Sequence, residues 1–156
     1  MFLAGETAQY REAKIRKWLH NEPSIGLLIA AVHFEWTICR AVLFLSPRPN
    51  REIRKELTVV YGLGKYKDFW RMEIVSLRGG HSLPSIVGDW KAVTDAFKAR
   101  DRLVHGRDRY TRNMAAPHVE ALLKAAAEIR EYCKRVGVDF QARLPIRKKI
   151  SEQSND

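Results

Sequence analysis

The sequence predicts an all-α fold, a single up-and-down bundle of four to five main helices. Three observations carry that prediction. Apolar residues recur at helical spacing through most of the 156 residues, and no apolar–polar alternation is long enough to defend as a strand. The stretch Ile25–Leu45 is apolar on nearly every face when wound as a helix, as the centre of a bundle requires. The length suits one domain with its own core, and a composition 46% hydrophobic and 29% charged is that of a globular protein. Residues 1–142 read as the bundle and 143–156 as a basic polar tail.

The elements follow in order. Glu6 to His20 places Tyr10, Ile15, Trp18 and Leu19 inward and Arg11, Lys14, Arg16 and Lys17 outward, with Pro23 closing it. Ile25–Leu45 follows, capped by Ser24 and ended by Ser46-Pro47. It is long enough to cross a bilayer, but Glu35 and Arg40 lie near its middle. Each would cost about 2.5–3.5 kcal/mol there, so it reads as a buried central helix and not as a span. Arg51 to Tyr61 makes a shorter helix stopped by Gly62-Leu63-Gly64, and Lys65 to Leu77 carries the stripe Tyr66, Phe69, Trp70 and Ile74. Arg78 to Pro84 is a loop punctuated by paired glycines and a proline. Gly88 to His105 is helical with Trp90, Val93, Phe97 and Val104 in register, and Gly106 is placed to end it in a left-handed conformation. The last helix begins around Asn113 to Pro117, presents Val119, Leu122, Leu123, Ala126, Ile129 and Cys133, and ends at Gly137.

Several chemistries are excluded cheaply. Gly62-Leu63-Gly64-Lys65 lacks the spacing of a phosphate-binding loop, His33-Phe34-Glu35 has no accompanying P-C-x-x-C, and no nucleophile elbow occurs. The five histidines show no paired spacing for a metal, so neither metal nor other cofactor is expected. Two cysteines, Cys39 and Cys133, make no disulfide framework and read as reduced core residues of a cytoplasmic protein; the first ten residues lack a secretory pattern. The net charge of +10 instead favours an anionic partner.

That charge is densest between Lys98 and Arg112, where six Lys or Arg and two Asp give a local net of +4. Lys98, Arg102, Arg107, Arg109 and Arg112 are the candidate contacts to a nucleic-acid backbone. Arg100 falls on the side of Val93, Phe97 and Val104, where a guanidinium must pair with an acid or point into a cleft. His105 sits at the helix tip, where the partial negative charge of the helix end and Asp101 favour its protonated form and the neighbouring arginines oppose it. On an ideal helix residues five apart differ by about 140°, so Arg100 and His105 converge only if the tip unwinds or two copies of the helix face each other. The plainer alternative makes His105 a capping side chain and Arg100 an internal salt bridge.

The run Arg100-Asp101-Arg102-Leu103-Val104-His105 resembles the R-x4-6-H motif of HEPN-domain ribonucleases, small helical bundles of toxin–antitoxin, abortive-infection and CRISPR-associated systems. The layout is similar too: a long apolar second helix, the motif near the end of the penultimate helix, and a final amphipathic helix. The resemblance implies Arg100 and His105 as the catalytic pair with Asp101 supporting them, no metal, and a homodimer whose two motifs share one cleft. RNA supplies its own 2′-OH nucleophile, so the products would be a 2′,3′-cyclic phosphate and a 5′-hydroxyl, with DNA left intact. His105 would transfer protons and Arg100 would donate to the phosphate oxygens.

Elsewhere, Glu35 interrupts an apolar face and needs a cation, Arg100 or a neighbouring arginine being the natural choice; it reads as a supporting residue or a purely internal bridge. His33, Thr37 and Arg40 share one stripe, His81 lies in the glycine-rich loop, and Lys148 and Lys149 would add only general charge. Three functional classes fit: a HEPN endoribonuclease, as a toxin or defence effector restrained by an antitoxin or other regulatory protein; a non-catalytic HEPN-like module binding nucleotides or RNA; and a helical subunit docking an acidic protein.

Overall fold

The computed structural model describes residues 6–147, and they are all-helical. Four long helices, α1 (Ala8–Asn21), α2 (Pro23–Leu45), α6 (Trp90–Val104) and α7 (Arg112–Arg135), are joined by short ones: α3 (Asn50–Leu57), α4 (Leu63–Trp70), which runs on into a π-helical turn at Arg71–Ser76, and α5 (Leu83–Ile86). Lys148 and Lys149 lie outside the described residues.

Side-chain pairs give the directions. Arg11 lies over Trp36 and Gly26 lies against Leu19, so α1 and α2 are antiparallel. Glu12 reaches Arg130 whereas Arg16 reaches Glu120, so α1 also opposes α7. Just before α6 the Gly88 N–H donates to Glu128, and just after it Tyr110 lies edge-on to His118, so α6 opposes α7. It follows that α2 and α7 run parallel. They share the most extensive packing in the molecule, with α1 and α6 flanking them. Leu27, Phe34 and Ile38 of α2 join Leu122, Leu123 and Ile129 of α7 in one continuous core, and 61% of the most apolar stretch of α2 is buried.

The close approach of α1 and α2 depends on Gly26. A Cβ at that position would lie 2.6 Å from the Leu19 backbone nitrogen, so any side chain would force the corner apart. Pro23 occupies the first turn of α2, where its missing N–H costs nothing, and Glu22 rather than Ser24 holds the cap position. At the other end, Pro47 cannot donate to the carbonyl of Leu43. Two arginines take up the stranded acceptors: Arg147 donates to the carbonyls of Leu43 (3.1 Å) and Phe44 (2.6 Å), and Arg78 donates to that of Leu45 (2.6 Å). Residues 139–147 therefore run back over α2 as a strap, held also by Arg40 donating to the carbonyls of Phe140 and Ala142 and by Asn50 donating to that of Pro145.

The structure corrects several readings. In α1 the buried stripe is Arg11, Ile15 and Leu19, while Tyr10 and Trp18 face solvent. Arg11 is only 3% exposed, its guanidinium 4.0 Å from the centre of the Trp36 ring, a cation–π contact that local periodicity does not announce. The helix expected to reach Tyr61 stops at Leu57, and Gly64 lies inside α4 instead of breaking it. Val104 points outward. The last helix starts earlier than expected, at Arg112, because the Thr111 hydroxyl accepts from the Met114 N–H, and Pro117 falls within it. Cys133 is buried as expected, but Cys39 is half-buried. Gly106 does end α6 with φ +66°: its N–H donates to the carbonyl of Leu103, and the Arg107 N–H donates to that of Arg102.

Candidate active site

Asp89 opens α6 by accepting from the Ala92 N–H, and the helix then buries Val93, Ala96, Phe97 and Ala99. Arg100 lies at the edge of that face, its side chain 23% exposed. Its guanidinium sits 5.0 Å from the centre of the Phe97 ring and donates to the Glu35 carboxylate on α2 at 3.3 Å. Asp101 approaches the Arg100 Nε at 3.3 Å, but without the alignment of a hydrogen bond, so that buried Nε–H has no acceptor among the described residues. The structure thus brings Arg100, Glu35 and Asp101 together.

His105 does not join them within one chain. It caps α6, its backbone N–H donating to the carbonyl of Asp101 at 3.0 Å, and its ring is exposed with no hydrogen bond among the described residues. Five residues of helix carry it about 7.5 Å along the axis and about 140° around it from Arg100. A phosphate gripped by this Arg100 is not faced squarely by this His105.

Two further residues surround the pair. Tyr66 of α4 and Cys39 of α2 lie within electrostatic reach of each other and of Glu35, and Tyr66 also feels Arg100. Burial pushes the Cys39 thiol up to about 11, with Tyr66 opposing and Glu35 adding to the rise; burial raises Tyr66 as well. Both therefore stay neutral near pH 7, and Cys39 is no thiolate nucleophile. Burial also raises the Glu35 carboxyl, Arg100 pulls it back, and Asp101 adds to the rise. A guanidinium held between two carboxylates and an aromatic ring is pre-aimed, and its remaining N–H groups are free to meet phosphate oxygens.

The basic run around the site is partly self-neutralised. Lys98 lies 3.7 Å from Asp95 and Arg102 lies 3.8 Å from Asp108. Arg107, Arg109 and Arg112 are exposed and have no ion pair among the described residues, so they carry most of the uncompensated charge.

The His33 stripe is a buried seam. His33 faces Glu12 at 3.7 Å and Arg130 at 3.5 Å, linking α2 to α1 and α7, and Thr37 donates to the carbonyl of His33. Burial lowers the His33 imidazole, Glu12 opposes that shift, and Arg11 and Arg130 add to it. His81 lines a cleft of about 410 Å³ with Arg78, Tyr132 and Arg135. Sequence reasoning missed Tyr66 as a neighbour of Arg100 and Cys39 as a neighbour of Glu35, because both read as ordinary members of apolar stripes. It also missed Arg11, for which the one available signal was its spacing of four from Ile15 and eight from Leu19. Comparison of the chain with family models, with curated proteins and with solved structures found no match.

Proposed function

We propose that this chain is a metal-independent endoribonuclease of HEPN type, using Arg100 and His105 supported by Asp101 and Glu35. One observation carries the reading: Arg100 is fixed by Glu35 and the Phe97 ring five residues before an exposed histidine at the same helix tip. A long apolar second helix, and a motif closing the helix before the last, support a HEPN-like bundle. In the reaction the 2′-oxygen bonds to phosphorus and the P–O5′ bond breaks. One proton leaves the 2′-OH and another reaches the 5′-oxygen, through His105 imidazoles. Arg100 donates to the equatorial oxygens as charge builds on them. The biological role is that of a toxin or defence effector, held in check by a regulatory protein. Cleavage of RNA but not of DNA of the same sequence, with EDTA present, tests the activity.

With the tip of α6 closed by the Gly106 turn instead of unwound, this reading pairs Arg100 with the His105 of a second copy, and the surface beside them suits one. Val32 is 54% and Val104 59% exposed, and because α2 and α6 run antiparallel, stepping one turn from the Glu35–Arg100 contact brings these two valines to the same side. We expect a homodimer by light scattering at tens of micromolar. Val32→Glu or Val104→Glu should give a folded monomer without nuclease activity. A wild-type monomer that still cleaves RNA would remove the composite site. One observation favours the non-catalytic binding module instead, namely that Arg100 already has an ion-pair partner; a parent protein that binds RNA without cleaving it would support that reading.

A further inference from the structure

Three clefts lie end to end along the strap, linked by residues they share. The first, about 560 Å³, is lined by Arg130, Lys134 and Phe140; the second, about 180 Å³, by Arg130, Phe140, Arg11 and Arg40; the third, about 510 Å³, by Arg40, Arg51, Arg54 and Arg143. Eight Arg or Lys and only three carboxylates (Glu6, Glu131 and Asp139) line the combined groove. None of this falls in the Lys98–Arg112 run.

The middle cleft is the most telling. Arg11 is almost wholly buried there, yet among the described residues no carboxylate lies within ion-pair distance of it. Among the described residues its guanidinium makes one hydrogen bond, to the backbone carbonyl of Glu6, and its buried Nε–H has no acceptor. Burial lowers its pKa, Arg130 and Arg40 add to that with like charge, and Glu6 and Glu12 oppose it only in part from beyond ion-pair distance. A buried cation with no carboxylate partner, between two others, is costly unless an anion completes it. Trp36 beneath the guanidinium fixes its plane. In the outer cleft Arg51, Arg54 and Arg143 are exposed and, among the described residues, without ion pairs.

We propose that the groove along residues 137–147 is the seat of a single-stranded nucleic-acid backbone, with Arg11 gripping one phosphate at its deepest point. The inference rests on the ribonuclease reading for its choice of RNA as natural occupant. The groove reaches the candidate active site by a short path. Trp36 and Glu35 are successive residues of α2 and so lie about 100° apart around its axis, which places groove and Arg100 on the two edges of one solvent-facing strip. A strand leaving the groove crosses about 10 Å, one helix diameter, to arrive at Arg100.

The test uses the full chain, with RNA and with a single-stranded DNA of the same sequence, which offers the phosphates but no 2′-OH. Arg51→Ala, Arg54→Ala and Arg143→Ala are combined, and a control combines Lys17→Ala, Lys65→Ala and Lys67→Ala for the same charge loss elsewhere. Losing three phosphate contacts should reduce the slope of log affinity against log salt by about 2 for both nucleic acids, while the control leaves it near the parent value. Arg11→Lys keeps the charge and loses the planar fork, and should weaken binding by about tenfold, one charge-assisted hydrogen bond. Equal effects of the groove and control triples, or an unchanged slope in the groove triple, would overturn the proposal. Groove-dependent DNA binding without RNA cleavage would keep the groove and end the nuclease reading. RNA cleavage untouched by the groove triple would do the reverse.

Discussion

His105→Ala should keep the helical fold and lose RNA cleavage by about 10²- to 10⁴-fold, the usual worth of a positioned proton-transfer group. The fold should persist because the exposed ring buries no core area, and the turn that ends α6 is made by the backbone around Gly106. Arg100 must be tested more carefully. Arg100→Ala removes the one cation hydrogen-bonded to Glu35, whose half-buried carboxyl would then be stranded. Lost cleavage would then be confounded with lost stability. Arg100→Lys separates the two: it keeps a positive charge beside Glu35 but not the fork that meets two phosphate oxygens. That variant should melt near the parent temperature, retain RNA binding and cleave poorly. Parent-level cleavage by Arg100→Lys would mean that Arg100 serves only as an ion-pair partner.

The largest effect on stability should come from Glu73, far from that site. Glu73 is buried in the π-helical turn and accepts from the Ser46 hydroxyl at 2.8 Å and from Arg48 at 2.6 Å, while Arg48 also grips Glu56. One carboxylate therefore ties the end of α2, the start of α3 and the segment after α4 into a single knot. Glu73→Ala leaves the buried Ser46 hydroxyl without its acceptor and Arg48 with only Glu52 and Glu56 of its three carboxylate partners. Leaving that hydroxyl unsatisfied costs about 1–3 kcal/mol, which in a chain of this size lowers Tm by about 2–12 °C. Arg71→Ala, breaking an exposed pair with Asp68, should cost less than about 1 kcal/mol. Equal melting temperatures for the two variants would show that the knot contributes nothing.

Where packing follows from periodicity, the sequence was legible. The stripe from Val119 to Cys133 is buried as its spacing requires, Tyr66 to Ile74 likewise, and Gly106 and Gly137 end their helices with positive φ. What local reading could not reach were side chains whose place is decided by distant partners. Arg11 turns inward because Trp36, across a helix corner, offers it a ring face. Residues 143–147 carry the charge of a solvated tail, yet they dock because Pro47 leaves α2 with carbonyls that need donors. At the candidate site, the need of Glu35 for a cation and the placement of Arg100 at the core's edge could be read from the pattern. The enclosure by Tyr66 and Cys39 could not, since α4 is brought there by a chain excursion between α2 and α6.

The most direct test of the proposed chemistry is the analysis of RNA ends after incubation with purified protein in EDTA. The parent protein should form fragments bearing 2′,3′-cyclic phosphates and 5′-hydroxyls, and His105→Ala should not. Fragments with 3′-hydroxyl and 5′-phosphate ends, cleavage abolished by EDTA, or no cleavage at all would contradict it.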